Sequence, residues 1–153
     1  MIKERKAAVA VIKSGDQILL IRRKKIDGDP WSGHIALPGG HVETDETIEQ
    51  GVLREIREEV SLCYSENDIV GEMSPVNTVR MPDLWVYPVI IAATSYNGAK
   101  AGPEVEEIRV VNIGDYHETI EPSFNSPAMD YGGWIVWGLT YRILRTYLES
   151  MKQ

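Results

Sequence analysis

The chain has 153 residues and a mass of 17.2 kDa, which suffices for one compact domain with a buried core, so we expect residues 1–153 to form a single domain. Its 43% hydrophobic and 25% charged residues are typical of globular proteins and argue against disorder and against a disulfide scaffold. The formal net charge of −7 repels a nucleic acid backbone, so we expect no DNA partner.

The first apolar run, residues 7–12, is too short for a signal-peptide core or a membrane span. We therefore expect a cytoplasmic protein with no membrane partner. The single cysteine, Cys63, cannot form an internal disulfide, and we expect it to be a small buried residue.

The first predicted elements are two strands joined by a hairpin turn. Residues 7–12 and 17–22 are short β-rich runs, and the four residues between them suit a tight connection. The Gly- and Pro-rich stretch that follows, residues 27–33, predicts a loop leading to Gly39.

A helix is predicted over residues 48–60. Thr47 and Gln50 have the spacing of a capping box, in which each side chain satisfies a free backbone N–H of the other residue, so we place the N-terminus of the helix at Thr47.

The C-terminal half predicts two more strands and a second helix. The strands are residues 84–93 and 108–113, and Pro88 indicates an edge or a bulge in the first of them. Apolar residues spaced four apart predict a helix over residues 135–151 that packs on the sheet.

Three carboxylates share one side of the first predicted helix. Glu55, Glu58 and Glu59 stand at i, i+3 and i+4, next to the apolar arc that must face the core. Like charges at this spacing repel each other unless they are solvated or bound to a cation. A solvated acidic face is the common explanation of such a stripe, and a divalent cation site is the alternative.

The context of the stripe favours the cation. Gly39 and Gly40 lie one short loop before the helix, where glycine allows a close backbone approach to a ligand and offers a carbonyl as an oxygen ligand. Arg54 can reach Glu58 on the helix or Glu46 in the loop and so fix the orientation of a carboxylate.

Together these residues form a known pattern. Gly40, five residues, Glu46, seven residues and then the run from Arg54 to Leu62 resemble the signature of the Nudix hydrolases, Gx5Ex7REUxEExGU with U an aliphatic residue. Ser61 stands where the family usually has glycine, at the C-terminal turn of the helix, and we expect a modest conformational cost there without loss of chemistry.

The resemblance implies a fold, a cofactor and a reaction. The fold is an α/β (α+β) protein, an α/β/α sandwich with a mixed β-sheet, and the cofactor is Mg²⁺ or Mn²⁺. The reaction is hydrolysis of a phosphoanhydride bond in a nucleoside diphosphate derivative. By position, Glu55, Glu58, Glu59 and the carbonyl of Gly39 are the implied metal ligands.

The resemblance also implies roles for the neighbouring catalytic residues. Glu46 and Arg54 would hold the loop against the helix. For the general base, family members use either a signature glutamate, here Glu55, or a carboxylate from a later loop, for which Glu104 and Glu107 are candidates.

The sequence identifies the substrate less closely than it identifies the reaction. Residues 19–22, Gly33 and 37–40 before the helix, and residues 137–140 near the C-terminus, loosely resemble the coenzyme A diphosphatase branch of the family. Coenzyme A-like or ADP-ribose-like substrates are therefore favoured, and dinucleotides, nucleoside triphosphates and a non-catalytic nucleotide sensor remain alternatives. Candidate substrate-binding residues are Arg22 and Arg23 in a basic run, Trp31 for stacking on a base, and Gly40. Whether the chain forms a homodimer stays open.

Overall fold

The computed structural model describes residues 4–28, 33–78 and 80–152. The helices are α1 (Ile48–Val60) and α2 (Gly138–Ser150), and Glu66–Asp68 form a short 3-10 turn. The strands in chain order are β1 (Arg5–Ser14), β2 (Gln17–Arg23), β3 (Ile35–Ala36), β4 (Gly39–His41), β5 (Ile69–Glu72), β6 (Val76–Asn77), β7 (Leu84–Ala92), β8 (Val105–Asn112), β9 (His117–Glu121), β10 (Ser126–Tyr131) and β11 (Trp134–Trp137).

Strand β1 is the centre of a mixed sheet. It pairs in parallel with β7 along its whole length and antiparallel with β2 and β4. Strands β3 and β8 extend the sheet from β2, and β5 and β6 pair with β7. A second, three-stranded sheet has the order β11-β10-β9.

The two faces of the mixed sheet carry separate cores. Side chains alternate along a strand, so Ala8 and Ala10 of β1 pack with the apolar side of α1, whereas Ala7 and Val11 pack toward α2 and the second sheet. The layers are thus α1, the mixed sheet, and α2 with the second sheet. This arrangement confirms the predicted α/β/α sandwich with a mixed sheet.

Helix α1 has the predicted limits. The Thr47 hydroxyl accepts the N–H of Gln50 at 3.1 Å, and the Gln50 side-chain carbonyl accepts the N–H of Thr47 at 2.9 Å, which is the predicted capping box. The helix ends at Ser61, whose φ of 62° is left-handed, and its N–H donates to the Arg57 carbonyl. The residue that replaces the family's glycine therefore does serve the C-terminal turn.

The predicted second helix begins too early. Residues 135–137 belong to β11, which pairs with β10, and α2 starts only at Gly138. Gly132 and Gly133, both with positive φ, form the two-residue turn between the paired Tyr131 and Trp134. A Gly-Gly pair between apolar runs favours this hairpin, and its short-range signal outweighs the helical spacing.

Two smaller predictions are also wrong. Pro88 does not lie at an edge, because β7 has neighbours on both sides; it lies where the outer neighbour changes from β5 to β6. Cys63 is exposed rather than buried. Within the described residues, neither helix is long and apolar enough to cross a bilayer.

Candidate active site

Arg54 clamps the loop before α1 to the helix. Its Nε and Nη2 donate to the two carboxylate oxygens of Glu46 at 2.7 and 2.9 Å, and Nη2 also donates to the His41 carbonyl at 3.0 Å. The N–H of Glu43 donates to Glu46 at 2.9 Å. The hydrogen bonds from Arg54, with that from Glu43, lower the pKa of Glu46 to about 2, so this carboxylate is held ionised as a structural anchor.

Glu59 is the buried member of the acidic stripe. Only 5% of its side chain is exposed, and its Oε1 accepts the N–H of Gly39 at 2.7 Å. Its Oε2 lies 3.4 Å from Nη1 of Arg23. Burial raises the pKa of Glu59 to about 8, against the opposing effects of the Gly39 hydrogen bond and the Arg23 charge.

Glu55 lies against the backbone of Gly40 in β4. A Cβ at Gly40 would meet the Glu55 carboxyl carbon at 2.7 Å, so only glycine leaves this carboxylate room beside the β4 backbone. Nη1 of Arg54 donates to Glu55 at 2.9 Å. Burial raises the pKa of Glu55, and the ion pair with Arg54 opposes that shift.

Glu58 completes the stripe on the solvent side, where 58% of its side chain is exposed and Nη1 of Arg54 lies 3.3 Å from its Oε2. In the described part of the chain, no group of three acidic, His or Cys side chains is arranged to surround one ion. The Arg54 guanidinium instead holds Glu55 and Glu58. The donors themselves, carboxylate oxygens beside a glycine backbone, are those that Mg²⁺ and Mn²⁺ prefer, so the residues fit such an ion once Glu55 and Glu58 turn from Arg54.

Gly39 touches the stripe through its N–H. Its φ of +151° and its Cβ position, 2.1 Å from the Ala8 carbonyl oxygen, exclude any other residue there. The amide donates to Glu59, and the role of the carbonyl as a metal ligand stays a prediction. The amide fixes Glu59 in the position from which its other oxygen faces Arg23.

The two candidate general bases lie in different places. Glu104 lies near the stripe: its carbonyl accepts the N–H of Lys24, the neighbour of Arg23, at 3.0 Å, and its charge is a minor contribution to the raised pKa of Glu55 and Glu59. Glu107 instead faces Arg22 at 3.7 Å and Arg109 at 3.9 Å. Those two guanidinium groups lie over the ring of the buried Trp134, on the side of the sheet opposite α1.

The side chains of the adjacent residues Arg22 and Arg23 therefore lie on opposite faces of the sheet. Arg23 points to Glu59, and its Nε is buried without a hydrogen-bond partner among the described residues. Arg22 points to the Trp134 side. The structure does not bring these two candidate substrate-binding residues to one place, and Trp31, the third, lies outside the described residues.

A pocket that the sequence did not indicate lies beside Arg22. It has a volume of about 330 Å³, and its walls come from β3, from the turn after β9 and from β11. Phe124 and Trp137 stack in this wall with ring centres 4.6 Å apart, and the His34 ring meets Trp137 edge-on at 5.1 Å. Trp137 falls within the segment predicted as a helix, and it reaches the pocket because this part of the segment is strand β11.

The fold and the site define an α/β/α hydrolase-type domain that presents carboxylates of one helix beside a glycine-rich strand. Residues 3–131 match the family model described as the NUDIX domain. The chain belongs to the Nudix family. Nudix hydrolases generally use divalent metal ions and act on small nucleotide derivatives.

Individual relatives agree with this assignment. The chain is 34% identical over 110 residues to an ADP-ribose pyrophosphatase of Methanocaldococcus jannaschii, a match that covers 71% of this chain and 62% of that protein. It is 28% identical over 156 residues to the uncharacterized Nudix hydrolase NudL of Salmonella paratyphi B, covering 94% of this chain and 81% of that protein. The crystal structure of a NUDIX hydrolase from Nitrosomonas europaea shares the fold with a TM-score of 0.72 at 18% identity, covering 99% of this chain and 74% of the other.

Proposed function

We propose that the chain is a Mg²⁺- or Mn²⁺-dependent pyrophosphohydrolase that cleaves the phosphoanhydride bond of a nucleoside diphosphate linked to another group. The observation that carries this proposal is the buried carboxylate of Glu59, held by the Gly39 amide and Arg23 beside Glu55 and Glu58. Burying a carboxylate costs free energy unless it is paired or binds a metal. The Gly39 hydrogen bond at 2.7 Å and the Arg23 contact at 3.4 Å offset only part of that cost, because the pKa of Glu59 remains raised.

In this proposal Glu55, Glu58 and Glu59 hold the metal, with the Gly39 carbonyl as a further ligand. A bound divalent ion activates water and neutralises phosphate charge. Arg54 and Glu46 would keep α1 and the loop in fixed relation, so that the backbones of α1 and β4 stay in place while the Glu55 and Glu58 side chains turn from Arg54.

Water attacks one phosphorus atom, the bond from that phosphorus to the bridging oxygen breaks, and the leaving phosphate takes the electron pair. The proton of the attacking water goes to a carboxylate. We assign this base role to Glu104, because it follows Gly102, whose N–H donates to the Glu59 carbonyl, and its own carbonyl accepts the N–H of Lys24 beside Arg23. Glu107 is instead paired with Arg22 on the other face.

For the substrate we propose an ADP-ribose-like molecule, with a coenzyme A-like molecule as the alternative. The support for the first is the name of the archaeal relative, which acts as an ADP-ribose pyrophosphatase. The support for the second is the loose resemblance of the flanking segments to the coenzyme A diphosphatase branch.

A substrate screen tests the proposal. ADP-ribose, coenzyme A, a diadenosine polyphosphate and a nucleoside triphosphate are incubated with the protein and Mg²⁺ or Mn²⁺ in ¹⁸O-labelled water, and the products are separated and weighed by mass spectrometry. We expect ¹⁸O in one phosphate product of ADP-ribose or coenzyme A. Absence of hydrolysis of all four compounds with either metal would refute the proposal.

Matched variants test the roles of Glu59 as a metal ligand and of Glu104 as the general base. Glu59→Gln and Glu104→Gln should each lower kcat about 100-fold or more, since general acid–base and metal ligands contribute on that scale. Glu106→Gln is the control, because Glu106 is an exposed carboxylate on β8, two residues after Glu104 in the preceding turn. Equal rates for the Glu104 and Glu106 variants would remove Glu104 from the base role.

A further inference from the structure

Arg22 and Arg109 form a pair of cations on the face of the mixed sheet opposite α1. Arg22 of β2 lies directly across from Glu107 of β8, and Arg109 is two residues further along β8, so the two arginines are diagonal neighbours. Their guanidinium carbons lie 5.0 and 4.5 Å from the ring centre of the buried Trp134. Stacking on an aromatic ring fixes the plane of a guanidinium, so the pair is preorganised before any ligand arrives.

A single carboxylate faces this pair and does not neutralise it. Oε1 of Glu107 lies 3.7 Å from Nη1 of Arg22, and its Oε2 lies 3.9 Å from Nη2 of Arg109, so both contacts are longer than a hydrogen bond. Two guanidinium groups against one carboxylate leave an excess of positive charge, in a chain whose formal net charge is −7. The pair therefore attracts an anion with more charge than a carboxylate carries.

The pair also has donors to offer such an anion. A guanidinium has five N–H donors, yet among the described residues that of Arg22 makes only the long contact to Glu107 and the contact to the Trp134 ring. Arg109 donates through Nη1 to the Gly132 carbonyl at 3.3 Å, and its Nη2 is turned toward Glu107. The side chains of the two arginines are 38% and 37% exposed, so a ligand can reach both. Since one carboxylate lies within 4 Å of both, one phosphate can contact both as well.

We propose that Arg22 and Arg109 bind an additional phosphomonoester of the substrate, separate from the diphosphate that is hydrolysed. The inference rests on the proposed function for the identity of the ligand as a substrate. A phosphomonoester carries about −1.5 to −2 charges at neutral pH and three acceptor oxygens, which match the excess charge and the available donors. Arg23, whose Cα lies about 3.8 Å from that of Arg22, contacts Glu59, so the pair stands next to the acidic stripe along β2. The site thus favours substrates with a phosphorylated ribose over their unphosphorylated counterparts.

Binding without hydrolysis tests the site separately from the reaction. Adenosine 3′,5′-bisphosphate, adenosine 2′,5′-bisphosphate, AMP and inorganic phosphate are titrated into the protein in EDTA by isothermal calorimetry. One bisphosphate at least should bind roughly tenfold or more tightly than AMP, since charge-assisted hydrogen bonds contribute on that scale. The net charge of −7 opposes the more highly charged ligand, so such a gain requires a local cation site.

Two results of these titrations would contradict the proposal. If neither bisphosphate binds more tightly than AMP, the pair does not hold a phosphomonoester. If inorganic phosphate binds as tightly as the better bisphosphate, the site takes free phosphate, and its assignment to the substrate is overturned.

Variants with opposite expected effects locate the binding at the pair. Arg109→Gln should weaken the better bisphosphate roughly tenfold and leave AMP unchanged. Glu107→Gln should tighten the bisphosphate relative to AMP, because it removes the competing anion, and a damaged fold cannot produce such a gain. Arg5→Gln is the matched control, since Arg5 is a surface arginine, 45% exposed and paired with Asp83 at 2.9 Å. Equal losses in Arg5→Gln and Arg109→Gln, or a weaker bisphosphate in Glu107→Gln, would overturn the site.

The outcomes separate this inference from the proposed function. Coenzyme A is compared with 3′-dephospho-coenzyme A, and ADP-ribose 2′-phosphate with ADP-ribose, by their kcat/KM with Mg²⁺. If a bisphosphate binds with the expected dependence on Arg109 but none of these diphosphates is hydrolysed, the phosphate site stands and the proposed reaction fails. If both members of each pair are hydrolysed with equal kcat/KM, and the bisphosphates bind no better than AMP, the reaction stands and the phosphate site is refuted.

Discussion

The metal-free protein should lose stability as the pH rises, because of one buried carboxyl. Burial raises the pKa of Glu59 to about 8 from its usual 4.5. Between these values the folded state holds a proton that the unfolded chain has released, so the contribution of Glu59 is fully present below pH 4.5 and is lost as the pH rises through about 8. Each pH unit within this window is worth at most about 1.4 kcal/mol.

Replacing Glu59 by glutamine isolates this effect. Urea unfolding in EDTA at pH 5.5, 7.0 and 8.5 gives the free energy of unfolding of each variant. Between the first and last pH the wild type should lose about 1–3 kcal/mol from this group, less than the ideal slope allows because the folded state itself ionises as the pH passes about 8. Glu59→Gln cannot ionise, so it should lack this component of the slope.

Glu58→Gln is the matched control, since it removes a carboxylate from the same helix at a position where 58% of the side chain is exposed. It should retain the wild-type dependence on pH. The reasoning would be refuted if Glu59→Gln and the wild type lost equal stability over the same range. Adding Mg²⁺ at pH 8.5 should stabilise the wild type by about 2.7 kcal/mol at a concentration 100 times its Kd, and should stabilise Glu59→Gln much less.

Two further predictions concern backbone positions. Gly39→Ala should lower the free energy of unfolding, measured by urea titration, by about 3 kcal/mol or more, because the new Cβ would lie 2.1 Å from the Ala8 carbonyl oxygen. Gly98→Ala is the control: its Cβ would meet no described atom within 4 Å, so it should cost only about 1 kcal/mol. Ser61→Ala should lower the free energy of unfolding by about 1 kcal/mol, because it removes the hydrogen bond from the Ser61 hydroxyl to the Lys100 carbonyl at 3.0 Å. Ser61→Gly loses the same bond but relieves the left-handed φ, so its stability should be close to that of the wild type. A lower thermal unfolding midpoint for Ser61→Gly than for Ser61→Ala would contradict this.

Helix α1 and its clamp could be predicted from the sequence because their signals are local. Thr47 and Gln50 mark the start of the helix within four residues, and the spacing of Glu46 and Arg54 is part of one contiguous pattern. The predicted contact between Arg54 and Glu46 is present as a two-bond ion pair. Local hydrogen bonds of this kind need no knowledge of how distant strands pair.

The opposite orientation of Arg22 and Arg23 follows from the alternation of side chains along a strand, although the basic run as a whole does not reveal it. Residues of a strand alternate between the two faces, so the two arginines could not both face the acidic stripe. Strand β2 is apolar on both faces before them, which hides the alternation that usually reveals the sides of a strand. Grouping the arginines as one basic run concealed their separate surroundings.

The second sheet and its pocket could not be deduced from local pattern. Strand β9 is exposed along nearly its whole length, so it lacks the apolar alternation by which strands are found. The pocket joins residues from β3 with residues almost a hundred positions later, such as Phe124 and Trp137. Only the tertiary pairing of β10 with β11 and the approach of β3 bring them together.

The loop before β8 also closes the end of α1. Its backbone N–H groups at Lys100 and Gly102 donate to the carbonyls of Val60 and Glu59, each at 2.9 Å, and a Cβ at Gly102 would collide with the Glu58 carbonyl. Since main-chain atoms make these contacts, most side chains of the loop can change in the course of evolution while Glu104 keeps its place. Exposed residues such as Lys100 can thus vary without disturbing the helix end, whereas Gly102 must remain glycine and Tyr96 must keep the hydroxyl that donates to the carbonyls of Ile12 and Gln17.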